Sequence, residues 1–367
     1  MTAWRHGAQG WPGRWLACTA VVAAVLAGVA GCSTGGNSGT KAAATASPSP
    51  ASPAPSVPGT GGALQLQSQF ERVVQTVLPS VVQITTSQGL GSGVVFDHSG
   101  DVVTNAHVVG SATSVTVRAA SSSKELHAKV LGVFAPDDLA VIRVSSGAGA
   151  LRPARFATSS DVRVGEITLA MGNPLGLTGT VTEGIVSATG RNVSEGQGST
   201  AVLISAIQTS AAINPGNSGG ALVDLAGRVI GIPTLAASDP QLGGAAVGIG
   251  FAIPSDTVTR IAPQLISSGK VTNSGRAALG ITAETVANAA GQPAGVGVVR
   301  VTPGGGAARA GIKPGDIILR VAGKPTGSVN ALVNVLAGKK PGDQVQVRYR
   351  RDGATHTVTV TLSNLSS

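Results

Sequence analysis

The sequence predicts a mainly β protein with a smaller α+β unit behind it. Three observations carry this. Val, Ile and Thr recur through the middle and the C-terminal third, and their branched side chains fit a pleated, half-buried surface. Glycine is abundant, 52 residues, and it punctuates short apolar runs, as turn chemistry requires. Aromatic residues make up 2% and charged residues 12%, which favours glycine-turned strands over a charge-laced helical bundle. At 367 residues the chain holds two domains with other sequence to spare.

The N-terminus reads as a targeting segment. Arg5 and Arg14 flank the approach to "WLACTAVVAAVLAGVAGC", a run as long as a signal core and marginal for a membrane span. Val29-Ala30-Gly31-Cys32 is similar to the bacterial lipobox: an apolar residue, two small ones, then cysteine. In that class of signals the cysteine is diacylated and becomes the mature N-terminus. Residues 1–31 are therefore expected to be a signal peptide and Cys32 the lipidation site. That anchors the protein at the extracytoplasmic face of the cell membrane, with simple secretion as the alternative. The other cysteine, Cys18, lies inside the removed segment, so disulfides contribute nothing. Residues 32–63 are almost all Ser, Thr, Ala, Pro and Gly, with one charge. They bury too little to offset their ordering entropy and are expected to form a disordered tether.

The folded part opens at residue 64. Leu66, Phe70, Val73, Val74 and Val77 fit helical spacing, and Pro79 stops the run. Short β-type runs follow, from "VVQITT" to "GIGFAIP", at a spacing that suits a barrel or sandwich. The helical pattern "SDTVTRIAPQLISSG" closes this region near residue 270. Residues 276–367 form the second unit, short strands around one helical stretch, "SVNALVNVLAG".

In "AAINPGNSGGAL" Ser218 sits among Gly216, Gly219 and Gly220. A turn between strands would explain these residues alone. A nucleophilic serine explains them equally well, because glycines let backbone N–H groups converge without Cβ interference. Gly216 and Ser218 would then supply the oxyanion donors. A base is needed, and the chain has five histidines. His6 lies in the signal, His98 and His356 in hydrophilic contexts, and His127 in the polar "KELHAKV". His107, in "VVTNAHVV", has the small and apolar neighbours of a barrel seam. Asp138, adjoining the apolar "LAVIRV", is the better orienting carboxylate, with Asp137 as fallback.

"TNAHVV", "DDLAVIRV" and "GNSGGAL" occur in the order His, Asp, Ser. They resemble the three active-site motifs of the HtrA (Deg) serine proteases, and "AMGNPLGLTGTVTEGIVSATGR" and "GIGFAIP" are typical of that family. The resemblance implies a chymotrypsin-like pair of six-stranded barrels over 64–270, with His107 as general base, Asp138 as its orienter and Ser218 as nucleophile. The second unit resembles a PDZ domain, in "AALGI" and "AGIKPGDIILRVAGKPTGS". That implies a carboxylate-binding loop at Leu279, Gly280 and Ile281 and C-terminal peptides as partners. The family further implies misfolded or damaged envelope proteins as substrates, in quality control and stress response, and a homotrimer through the N-terminal helix. No cofactor and no metal are called for. The net charge of +9 is scattered, which argues against a nucleic-acid partner. Two departures stand out: Ser210 where the family often has aspartate, and Pro233 where it often has asparagine. The alternative function is a non-catalytic envelope chaperone or peptide-sensing binder on the same fold.

Overall fold

A computed structural model of the chain describes residues 60–120, 122, 124–173, 179–194, 202–214, 216–239 and 244–367. The expected signal peptide, Cys32 and most of the expected tether lie outside the described residues. Helix α1 spans Thr60–Val77, so the tether stops short of residue 63. The early start has a physical reason. Gly61 and Gly62 meet nothing within 4 Å, and these poor helix formers simply extend a helix that is fixed downstream. Phe70, Val73, Val74 and Val77 do the fixing by packing into the main core, whereas Leu66 stays 41% exposed.

Two closed barrels of six strands follow. The first is β1 (Val81–Thr85), β2 (Leu90–Val95), β3 (Asp101–Asn105), β4 (Ser114–Ala119), β5 (Glu125–Phe134) and β6 (Leu139–Val144), closed in the order β1-β2-β3-β6-β5-β4. The short helix α2 (Ala106–Val109) interrupts it after β3. The second is β7 (Ile167–Gly172), β8 (Thr180–Ser194), β9 (Val202–Thr209), β10 (Ala221–Asp224), β11 (Val229–Asp239) and β12 (Gly244–Pro254), closed as β10-β11-β12-β9-β8-β7.

Burial explains why several strands lack a polar face. In β1, Val82 and Ile84 fill the first barrel while Val81 faces the seam. In β3, Val102 points into the barrel and Val103 into the seam. In β7, Ala170 enters the second barrel while Leu169 and Met171 join the seam. A strand with one face in a barrel and the other in the seam reads as a continuous apolar run, not an alternation. Helix α3 (Ser255–Ser268) lays Val258, Ile261, Ala262 and Leu265 onto that same seam cluster.

The second unit has its own core, including Val296, Val298, Ile318, Leu332, Val347 and Val360. Its strands are β13 (Ala277–Ala278), β14 (Ile281–Ala287), β15 (Pro293–Val301), β16 (Ile317–Val321), β17 (Lys324–Pro325), β18 (Gln344–Arg351), β19 (Ala354–Thr361) and β20 (Ser363–Asn364). The main sheet runs β14-β15-β16-β18-β19, and β17 pairs with β16. Helix α4 spans Gly306–Arg309 and α5 spans Val329–Ala337. Ser328 caps α5 by accepting the Ala331 N–H.

The two units meet through the linker and the tail. Strand β20 returns to pair with β13. The Leu365 N–H donates to the Arg276 carbonyl at 2.8 Å, and its side chain packs on the seam cluster. Arg276 reaches back to the Pro136 carbonyl at 2.7 Å and to the Asp137 carboxylate.

Candidate active site

The pairing of β3 with β6 sets Asn105 opposite Leu139, so the residues just outside each strand end share one edge of the seam. His107 lies on α2 and Asp138 just before β6, in the left-handed region at φ 49°. Four contacts lock them together. The His107 backbone N–H donates to Asp138 Oδ1 at 3.0 Å, and His107 Nδ1 lies 2.8 Å from Oδ2. The Ala106 N–H and the Asn105 side-chain amide donate to the Asp138 carbonyl at 3.0 and 3.1 Å. A carboxylate only accepts, so Nδ1 carries the proton and Nε2 is left as the basic nitrogen. The His107 side chain is 47% exposed and the Asp138 side chain 3%: the imidazole is accessible and the carboxylate is not.

The second barrel contributes Thr234, on β11 and buried. Its hydroxyl donates to Asp138 Oδ2. Its carbonyl accepts from Ser218 Oγ at 3.1 Å. One residue therefore links the Asp138 carboxylate to Ser218. Sequence reading missed Thr234. The only signal was Pro233 beside it, whose lack of an N–H leaves a fault in the ladder: the β11–β12 register shifts between Pro233 and Leu235. The Pro233 carbonyl accepts the Gly219 N–H at 2.9 Å. Ser210, the other departure, accepts the Ile185 N–H at 3.0 Å.

Ser218 is half-buried in a turn between β9 and β10. Asn217 braces the turn. Its side-chain amide donates to the Ala212 carbonyl at 3.0 Å, and its Oδ1 accepts the Asn214 N–H at 3.1 Å. Gly219 has φ +81°, and a Cβ there would stand 2.2 Å from the Ser92 carbonyl oxygen, so only glycine fits. Among the described residues, the Gly216 and Ser218 N–H groups meet no hydrogen-bond acceptor.

Asp137, the fallback carboxylate, pairs with Arg276. Burial pushes its carboxyl above the ordinary range, and the charge and hydrogen bond of Arg276 only partly oppose this. His98, His127 and His356 are exposed and apart from this cluster. Among the described residues no group of three or more His, Cys, Asp or Glu side chains is placed to hold a metal ion.

In the second unit, Leu279, Gly280 and Ile281 turn between β13 and β14 at the end of a groove of about 700 Å³. The groove runs between β14 and α5. The Leu279 carbonyl accepts the Ala307 N–H at 2.8 Å, and the Gly280 carbonyl accepts the Thr302 N–H at 2.9 Å. In a trans peptide the N–H points opposite to the carbonyl. The Gly280 and Ile281 N–H groups therefore point away from those donors, out of the loop. Gly280 holds φ +78°, which suits glycine.

Comparisons with known proteins follow the same division. A family profile described as a trypsin-like peptidase domain matches residues 91–232, and one described as a PDZ domain matches residues 277–362. The chain is 40% identical to serine protease PepD of Mycobacterium tuberculosis over 80% of this chain and 65% of that one. It is 39% identical to the periplasmic pH-dependent serine endoprotease DegQ of Escherichia coli, over 76% of this chain and 60% of that one. The chain thus spans less than two thirds of these relatives' length. It is 41% identical to serine protease Do-like HtrA of Lactococcus lactis over 76% of this chain and 71% of that one. Among solved structures, the serine endoprotease from Yersinia pestis matches with TM-score 0.54 and 35% identity, over 81% of this chain and 98% of that one. The HtrA-type protease AlgW with tripeptide matches with TM-score 0.54 and 34% identity, over 80% of this chain and 96% of that one.

Proposed function

The chain belongs to the HtrA/Deg family of serine proteases with a PDZ domain, and from that premise we propose that it is a serine endopeptidase of unfolded or damaged proteins outside the cytoplasm. The observation that carries the proposal is the set of contacts that gathers the three residues around Thr234: His107 Nδ1 and the Thr234 hydroxyl on the Asp138 carboxylate, and the Thr234 carbonyl accepting from Ser218 Oγ. In this reading Ser218 Oγ turns its proton from the Thr234 carbonyl to the His107 imidazole, which takes it as Oγ attacks the scissile carbonyl carbon. Asp138, dry and hydrogen-bonded, balances the imidazolium charge. The carbonyl oxygen becomes an oxyanion that accepts from the Gly216 and Ser218 N–H groups. Collapse breaks the C–N bond, the leaving amine takes the proton from His107, and water then hydrolyses the acyl-enzyme by the same base.

The PDZ unit takes an extended peptide beside β14 and holds its terminal carboxylate on the N–H groups of Gly280 and Ile281. The lipobox-like Val29–Cys32 supports a lipid anchor at the membrane's outer face, and relatives described as periplasmic support the same side of the membrane. A homotrimer through the N-terminal helix completes the proposal.

Casein digestion by the purified chain, wild type beside Ser218→Ala, tests the activity. Removing a triad member leaves a residue of catalysis, a loss on the order of 10⁴–10⁶. Equal digestion by the two proteins would overturn the endopeptidase and leave the peptide-binding alternative.

A further inference from the structure

One buried hydroxyl of the first barrel has no part in the machinery described so far. Ser92, on β2, is 0% exposed. Its hydroxyl accepts the Asn173 N–H at 2.8 Å and lies 2.5 Å from the Gly216 carbonyl oxygen. A serine hydroxyl has a single proton. With Asn173 donating into a lone pair, that proton can only go to the Gly216 carbonyl, so the direction of both bonds is fixed. The backbone of Ser92 adds a third link: its N–H donates to the Ser218 carbonyl at 3.0 Å. Its own carbonyl is steadied by the Thr104 hydroxyl at 2.7 Å.

The bonds converge on one peptide unit, Gly216–Asn217. Ser92 holds its carbonyl, and its N–H donates to the Asn214 carbonyl at 3.2 Å. The backbone of Gly216, at φ +113°, has no side chain to limit rotation. The end of β7 closes from the other side: a Cβ on Gly172 would stand 2.8 Å from the Gly216 oxygen. The two candidate oxyanion donors, the N–H groups of Gly216 and Ser218, flank this pinned unit. The carbonyls of those same two residues are the ones Ser92 grips.

We infer that Ser92 is a positioning residue for oxyanion stabilisation, a hydroxyl of the N-terminal barrel that sets the aim of the Gly216 and Ser218 N–H groups in the C-terminal barrel. It does not touch substrate; it acts through the Gly216–Asn217 peptide. The inference rests on the serine-endopeptidase reading above. The physical reason for its weight is that oxyanion donors work by being fixed before the charge develops. A glycine hinge left unpinned surrenders that advantage without losing a donor.

The test uses the full chain carrying Ser92→Ala, with Ser92→Thr to return a hydroxyl. A fluorogenic peptide gives kcat and KM across pH. A peptide aldehyde, whose adduct oxygen sits where the oxyanion forms, is compared with the corresponding peptide alcohol. Ser92→Ala should lower kcat about 10–100-fold, below the cost of deleting a donor outright. KM and the pH profile should hold. Aldehyde affinity should fall by the same factor as kcat while alcohol affinity stays, and Ser92→Thr should recover part of both losses. Unchanged kcat, or equal losses for aldehyde and alcohol, would overturn the inference; the second pattern marks a merely structural role. If Ser92→Ala does not fold, the aldehyde-to-alcohol ratio of Ser92→Thr against wild type decides, an unchanged ratio at lowered kcat counting against it. If hydrolysis by the wild-type chain survives Ser218→Ala, the endopeptidase reading has failed, and this is told apart from a failure of Ser92 alone.

Discussion

Asp137 and Asp138 are neighbours in sequence with opposite surroundings. Asp138 accepts from the His107 backbone, the His107 ring and the Thr234 hydroxyl. Asp137 turns to Arg276, and its Oδ2 has no partner among the described residues. Asp138→Asn keeps the shape but presents an amide to Nδ1, which favours the wrong tautomer; kcat on a fluorogenic peptide should fall on the order of 10⁴. Asp137→Asn should leave kcat within a few-fold, and a fall matching Asp138→Asn would contradict the assignment. Thr234→Val removes one hydrogen bond to a carboxylate while keeping the carbonyl that receives Ser218. A loss of about 1.5–3 kcal/mol, roughly 10–100-fold in kcat, is the expected result of steady-state assays. His107 stood out because the chain has only five histidines, and Ser218, one of many serines, because glycines flank it; both sit in ordered motifs. Thr234, Asn105 and Asn217 were not, because each acts through a geometry that exists only after the barrels close. The Thr234–Asp138 bond, for instance, joins positions 96 residues apart.

At the scale of elements, strand existence was plain from β-branched runs and glycine turns, while strand environment was not. Doubly buried strands such as β6 read like any apolar run until the seam supplies their second face. In the second unit the alternation was cleaner, and β18 shows it: Val345, Val347 and Tyr349 are buried between exposed Gln344, Gln346, Arg348 and Arg350. The end of β18 is tied to the turn before β16 by Arg351, whose Nε and Nη2 both lie 2.7 Å from the Asp316 carboxylate. Burial alone would raise the Asp316 carboxyl. The Arg351 hydrogen bonds outweigh it, together with the Lys313 N–H and the charges of Arg351 and His356, and the group lies below its ordinary value of 3.8. A carboxyl depressed in the folded state contributes stability that is present above the unfolded value and is lost as pH falls through the folded one. Arg351→Met should therefore lower the Tm of this unit at neutral pH, and the gap to wild type should close as pH falls below the ordinary carboxyl value of 3.8. Calorimetric scans across that range would refute the account if the gap stayed constant.

At the scale of the whole molecule, the order of the two units was written in the motifs but their joint was not. From Thr60 on, the described residues form one compact unit, and the contacts that unite its halves span long stretches of chain. Arg276 meets Asp137 across 139 positions, and Ser274 Oγ donates to the Leu365 carbonyl at 2.6 Å across 91. Arg276 occupies a telling position: it precedes the Leu279–Ile281 loop and holds the turn from which Asp138 emerges. Both partners of the pair are largely dry, 14% and 4% exposed in their side chains. Removing one partner of such a pair costs far more than the pair contributes, about 3–5 kcal/mol, because the other charge is stranded. The sign of the pH dependence identifies the mechanism. The Asp137 carboxyl is already raised by burial against the pull of Arg276. A raised carboxyl binds its proton more tightly in the folded state than in the unfolded one. Stability is therefore fullest below the ordinary value of 3.8 and declines as pH rises from there through the folded value. Without Arg276 the folded value climbs further, and the declining window widens upward. Arg276→Met should thus be nearly harmless relative to wild type in acid and lose its full few kcal/mol at neutrality, read from denaturant unfolding at a series of pH values. The double variant Arg276→Met with Asp137→Leu removes the stranded charge and should recover most of that loss at neutral pH, since apolar replacement of a buried pair is often neutral or better. A deficit in Arg276→Met that is equal at all pH values would show that the joint depends on the hydrogen bond to the Pro136 carbonyl and not on the charge pair with Asp137.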